Sequence, residues 1–177
     1  LKFLIIKNMF FDGIDKDVNN SFNVAIDKLI KSGANVKYKN ISEIDSAFEI
    51  SKTVFPAEAY GMWQHEIEKS PEKMYAPIRE RFRSGKKILA HDYVLSLQKL
   101  FELRLDFVKK VIDFDAILVP TSPIKPPSIK QLLDNHKFFT ERNLLALRNT
   151  RIANSLNLCA LTIPTETNFS GLMLMGR

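Results

Sequence analysis

Two apolar runs of the 177-residue chain end in Pro-Thr: Val119-Pro120-Thr121-Ser122-Pro123 and Ile163-Pro164-Thr165. Proline lacks the N–H that a β-ladder needs, so it stops a strand and fixes the direction of the chain that follows. The hydroxyls of Thr121, Ser122 and Thr165 are thereby held at strand ends, where open α/β sheets bind their ligands. Turns and helix caps would use the same hydroxyls equally well. A second polar group lies between Glu141 and Asn157, where Arg142, Asn143, Arg148, Asn149, Thr150, Arg151 and Asn154 interrupt a helical pattern. Asn143, Thr150 and Asn154 share one side of that helix, and Arg148 lies near it. Asparagine is a poor helix former, and its amide is costly to bury unpaired. These amides therefore either bond neighbouring loops or face a polar site.

No nucleophile machinery accompanies them. The chain holds no G-x-S-x-G, Ser-x-x-Lys, P-loop or H-E-x-x-H pattern, and its six glycines are isolated. The lone cysteine, Cys159, excludes an internal disulfide, and its place in the run Leu158 to Ile163 predicts a small buried hydrophobe. His65, His91 and His136 lie far apart without partners at ligand spacing, so neither a metal site nor a cofactor is expected. The net charge of +6 is spread along the chain, and its densest basic stretch, Arg79 to Lys87, is interrupted by Glu80. That pattern suits a solvated helix face and gives no reason to expect nucleic-acid binding. No apolar run approaches the roughly 18 residues of a membrane span, and a soluble, cytoplasmic protein is expected.

Five short apolar runs alternate with helical patterns. Leu1 to Ile6 reads as a strand. A helix follows, capped by Asp15, carrying Val18, Phe22, Ala25 and Leu29, and closed by Gly33. Val36 to Ile41 reads as a second strand, which completes a parallel crossover unit. Ser42 to Lys69 is predicted helical with a break at Pro56, and Pro71 to Gly85 as a further helix. A long helix starts near His91, its apolar face marked by Leu100, Leu103, Phe107 and Val111. Ala116 to Val119 is a strand, Thr121 to Pro127 a proline-rich loop, and 139–156 a helix capped by Thr140. Leu158 to Ile163 and Gly171 to Met175 are strands joined by a loop over 165–170. The fold class is α/β, part of a mixed or mostly parallel sheet flanked by helices.

The run from Asp113 to Pro123 resembles the aspartate, apolar strand and Pro-Thr-x-Pro segment of amidase-signature enzymes. Asn143 to Asn154 resembles their helix of Asn, Thr and Asn, and Leu158 to Pro164 with Gly171 to Gly176 their paired terminal strands. Upstream, Arg81 to Gly85 with Asp92-Tyr93, and Asp12 to Val18 with Gly33 to Val36, resemble their earlier segments in the right order. The chain departs from the pattern at Asn157, Cys159, Glu166 and Met173, where the family usually carries Gly, Pro, Gly and Gln. The resemblance implies residues 1–177 to be the carboxyl-terminal portion of a single amidase domain, with the amino-terminal catalytic half and a final helix absent. It implies a parent that hydrolyses the C–N bond of a small linear amide by serine acylation, as a homo-oligomer. No residue of 1–177 carries the family's Ser-Ser-Lys machinery; Thr121, Ser122, Asn143 and Arg148 are expected to border the substrate pocket. Asn154 is expected to be buried and paired with a loop. The competing reading is a catalytically inactive remnant or a binding domain.

Overall fold

The computed structural model describes residues 1–166 and 169–177. Five strands form one mixed sheet in the order β2-β1-β3-β5-β4: β1 (Lys2–Ile6), β2 (Asn35–Lys39), β3 (Ala116–Pro120), β4 (Cys159–Pro164) and β5 (Gly171–Gly176). β1 runs parallel to β2 and β3, and β5 is antiparallel to both β3 and β4. The sheet is therefore mixed, with β2 and β4 at its edges. The helices are α1 (Lys16–Lys31), α2 (Ser42–Lys69), α3 (Ala76–Arg83), α4 (Ala90–Val111), α5 (Ile129–Asp134), α6 (His136–Ala146) and α7 (Arg148–Ser155).

Strand periodicity sorts the core into two layers, because successive side chains leave a strand on opposite faces. Phe3, Ile5, Leu118 and Leu172 pack against Phe22 and Ile26 of α1. Leu4, Ile6, Ile117, Val119, Met173 and Met175 face the other way, onto Ile44 of α2, Leu103 and Phe107 of α4 and Ile152 of α7. The apolar stripe read on α4 supplies four of its buried residues, Leu100, Leu103, Phe107 and Val111.

Several local expectations meet different structure. α2 runs unbroken through Pro56, although proline removes one i→i−4 hydrogen bond. Packing along α2 by α3, the 84–87 turn, α4 and α7 outweighs that loss. Gly85 lies so close beneath Pro56 that a Cβ there would stand 1.9 Å from the Pro56 carbonyl oxygen. The 139–156 helix is two, α6 and α7, meeting at Leu147. Its cap is Asn135, whose side chain accepts from the Phe138 N–H, and not Thr140. Asp15 does precede α1, but its carboxylate accepts from the Lys125 N–H instead of capping the helix. Of the 165–170 loop, Thr167 and Asn168 lie outside the described residues.

Cys159 is exposed, not buried. All six residues of β4 are exposed, because α1 covers the sheet only as far as β5 on its face and α7 ends short of β4 on the other. A thiol reagent such as DTNB should therefore titrate Cys159 to completion in native buffer, at the same rate with and without mild denaturant; a slow, denaturant-dependent reaction would contradict this exposure. Val94, Phe101, Leu105 and Ile112 of the α4 region are likewise at least half exposed. The surface totals 10565 Å², against about 8,800 Å² for a compact protein of this mass.

Candidate functional site

The strand order reverses between β1 and β3: β1 connects through α1 to β2 on one side, and β3 lies on the other. In open α/β sheets that reversal opens a crevice at the strands' carboxyl ends. Here α7 fills it. The Asn149 amide, fully buried, donates to the Phe10 carbonyl at 3.2 Å and to the Pro120 carbonyl at 2.7 Å, joining the loop after β1 to the end of β3. Arg148 beside it is only 8% exposed; its Nη1 donates to the Asp12 carbonyl at 2.7 Å and its Nε to Asn149 Oδ1 at 3.3 Å. Burial pushes the Arg148 pKa below the usual arginine value, against the pull of the Asp12 charge. Arg148 thus lies inside the fold, latching α7 to the loop after β1.

The structure does not bring Thr121, Ser122, Asn143 and Arg148 together. Thr121 directly follows β3, its Oγ1 3.1 Å from Thr162 Oγ1 and its N–H bonded to the Gly171 carbonyl. The Ser122 hydroxyl closes a local turn, donating to the Ile124 carbonyl at 3.1 Å. Neither lines the cleft between α1 and β4 or the one between α2, α4 and α7. Asn143 lies on α6, half-buried, where its Oδ1 accepts from Arg81 Nη1 at 3.3 Å.

The cleft between α1 and β4, of about 260 Å³, is lined by Ser21, Val24, Lys28, Ile163 and Leu172. Its polar rim is internally satisfied: Ser21 donates to Thr165 and Lys28 pairs with Glu166. The larger cleft, about 390 Å³, lies between α2, α4 and α7. Phe55, Leu97, Leu100 and Leu147 give it an apolar floor, and Arg81, Arg104, Arg151 and Asn154 bring polar groups to it. Asn154 is exposed on this cleft, contrary to the expectation of a buried, paired amide. α7 presents Ile152, Ala153 and Leu156 to the core, and at 100° per residue Asn154 falls on the opposite side. The structural asparagine of this helix is Asn149.

Each arginine of the larger cleft is positioned by a different element. The Arg81 guanidinium, from α3, stacks 4.7 Å from the Phe55 ring, and Arg151, from α7, stacks 4.3 Å from the Phe48 ring. Arg104 of α4 donates through Nε to the Ser155 carbonyl at 2.8 Å. Burial lowers the pKa of both Arg81 and Arg151, and the Arg81 charge lowers that of Arg151 further against the pull of the Glu49 charge. The sequence does not show Arg81, Arg104 and Arg151 as a group, because they lie 23 and 47 residues apart. Its signals are separate, Arg81 in the segment to Gly85 and Arg151 in the polar run of α7, and α2, which brings the aromatic rings, carries no motif. Among the described residues no cluster of His, Cys, Asp and Glu could hold a metal ion, and no helix is long and apolar enough to cross a membrane.

With this fold and cleft in place, the family model described as Amidase matches residues 1–176. The chain belongs to the amidase family. Among curated amidase relatives, it is 26% identical over 175 residues to the 2-amino-5-chloromuconic acid deaminase of Comamonas testosteroni, a match covering 96% of this chain and 38% of the relative. It is 27% identical over 125 residues to an amidase of Pseudomonas putida, covering 70% of this chain and 27% of the relative. The chain thus spans well under half the length of these curated relatives. Among solved structures, Kluyveromyces lactis allophanate hydrolase superposes with a TM-score of 0.82 at 18% identity, over 100% of this chain and 29% of that one. That likeness shows a shared amidase fold. Just after α7, Asn157 has a φ of 56°, a left-handed turn in which asparagine is, after glycine, the side chain that fits best.

Proposed function

We propose that this chain is the carboxyl-terminal portion of an amide hydrolase, supplying part of the sheet and one wall of the substrate pocket. The observation that carries the reading is the 390 Å³ cleft between α2, α4 and α7, where an apolar floor meets converging arginines and an asparagine in a chain of the amidase family. Small-molecule sites have this character, mostly apolar with few placed polar groups. The uncovered faces of β4 and α4 and the share of the relatives' length matched here support a chain that works within a larger hydrolase. In this reading the C–N bond of a small amide is cleaved by serine acylation, with loss of ammonia or an amine and then hydrolysis of the acyl-enzyme. Nucleophile and base lie outside residues 1–177, and Arg81, Arg151 and Asn154 orient the substrate. Of the residues singled out in the sequence, Asn143 retains a part in this wall by holding Arg81, whereas Arg148 holds α7 in place.

Purified 1–177 is accordingly expected to release no ammonia above background from a panel of simple aliphatic and aromatic amides. Turnover that co-purifies with the chain and is abolished by substitution within it would place a nucleophile inside 1–177 and overturn this division of labour.

A further inference from the structure

α4 carries two apolar stripes, and only one of them meets the core. Leu100, Leu103, Phe107 and Val111 are buried. Val94, Gln98, Phe101, Leu105, Val108 and Ile112 form the other, at alternating spacings of four and three residues, so they run straight along the helix. At 100° per residue this second stripe lies about 140° around the helix from the buried one. Val94, Leu105 and Ile112 are at least half exposed, and Phe101 is 61% exposed. Gln98 is exposed and Val108 half-buried. Ile112, at the C-cap, keeps helical backbone angles. The strip is about 27 Å long, and a contiguous apolar strip of this size in water marks an interaction surface.

The order of residues along the strip points to its occupant. It is symmetric about position 103: Val94 and Ile112 lie nine residues to either side, Gln98 and Val108 five, and Phe101 and Leu105 two. We infer that two copies of this chain associate through α4, packed antiparallel about a two-fold axis beside residue 103. Val94 of one copy then meets Ile112 of the other, Gln98 meets Val108, and Phe101 meets Leu105. These are the layers of a short antiparallel coiled coil, each filled by residues of complementary size. A parallel pair would set Phe101 on Phe101 and the Gln98 amides on each other, and would align the two helix dipoles unfavourably. The flanking charges allow close approach. Within each helix Lys99 pairs with Glu102 at 3.1 Å and Lys109 with Asp106 at 2.9 Å. That flank is near neutral, so it neither repels a second copy nor attracts an anionic membrane. Glu102 faces its own copy near the axis, and its Lys99 partner offsets the repulsion. The pairing buries on the order of 1,000 Å² over both copies, the lower bound of a specific interface, so the dimer is expected to dissociate on dilution.

The test combines cross-linking with sedimentation equilibrium of the full chain. Cys159→Ser removes the native thiol, and single cysteines are added to that background. Glu102→Cys is expected to oxidise to a covalent dimer, because the two copies of position 102 lie across the axis. Val94→Cys alone is expected to give none, its copies standing about 27 Å apart along the helices, yet to cross-link when mixed with Ile112→Cys. Self-cross-linking of Val94→Cys would mean a parallel pair and would overturn the inference. In sedimentation, Phe101→Glu and Leu105→Glu are each expected to weaken the dimer at least tenfold. Both positions are exposed, so urea unfolding should show the fold retained. A chain that stays monomeric at every concentration overturns the inference, as does association that both glutamate variants leave unchanged, since the contact would then lie on another surface.

Discussion

Replacing Gly85 by alanine is expected to lower the thermal unfolding midpoint by about 10 °C. Gly85 is buried in the turn between α3 and α4, where that turn crosses α2. A Cβ built there would lie 1.9 Å from the Pro56 carbonyl oxygen, 2.5 Å from its carbon and 2.9 Å from the Tyr60 Cβ. Backbone atoms cannot rotate away as the end of a side chain can, so α2 and the turn must separate. Overpacking of this kind costs about 3 kcal/mol. At Gly61, on the same helix, an added Cβ would meet nothing within 4 Å, and alanine there should stabilise by about 0.5–1 kcal/mol, since glycine is the poorer residue in a helix interior. Opposite signs for two Gly→Ala changes near one helix separate close approach from helix propensity. Equal effects would show that the turn does not press on Pro56.

Removing the Asn149 amide is expected to cost about 3 kcal/mol. Its Nδ2 supplies hydrogen bonds to the carbonyls of Phe10 and Pro120, and its Oδ1 receives one from Arg148. Asn149→Ala loses these bonds and leaves a small cavity; Asn149→Leu fills the volume but leaves the same groups without their partner. Both should therefore destabilise to a similar degree in urea unfolding. A leucine variant as stable as the parent would mean that volume, not hydrogen bonding, holds α7 in the crevice.

The order of elements is legible in the sequence because each follows from local physics. β1 and α1 announce themselves by periodicity, and Gly33 ends α1 at a φ of 88°, where only a residue without a Cβ is at ease. β3 ends at Pro120 and β4 at Pro164 as their prolines require. The motifs in sequence order carry the resemblance to the amidase-signature family, which the match over residues 1–176 bears out. Pro56 misleads because local propensity gives the cost of proline and not the packing that outweighs it. Cys159 misleads because an apolar run has the same composition at a bare edge as in a core.

What tertiary structure alone decided is which polar groups face inward and which face an open cleft. Asn149 and Asn154 are the same residue type, five positions apart on one helix, yet one is sealed against two loops and the other opens on the cleft. Their roles depend on which side of α7 meets the sheet, and that is set by Ile152, Ala153 and Leu156 packing into the core. The convergence of Arg81, Arg104 and Arg151 is likewise invisible in sequence, because α3, α4 and α7, far apart in the chain, must first be packed against α2. Periodicity and punctuation act over a few residues and so determine the elements. The site is a sum of long-range contacts, and it exists only once the chain has folded.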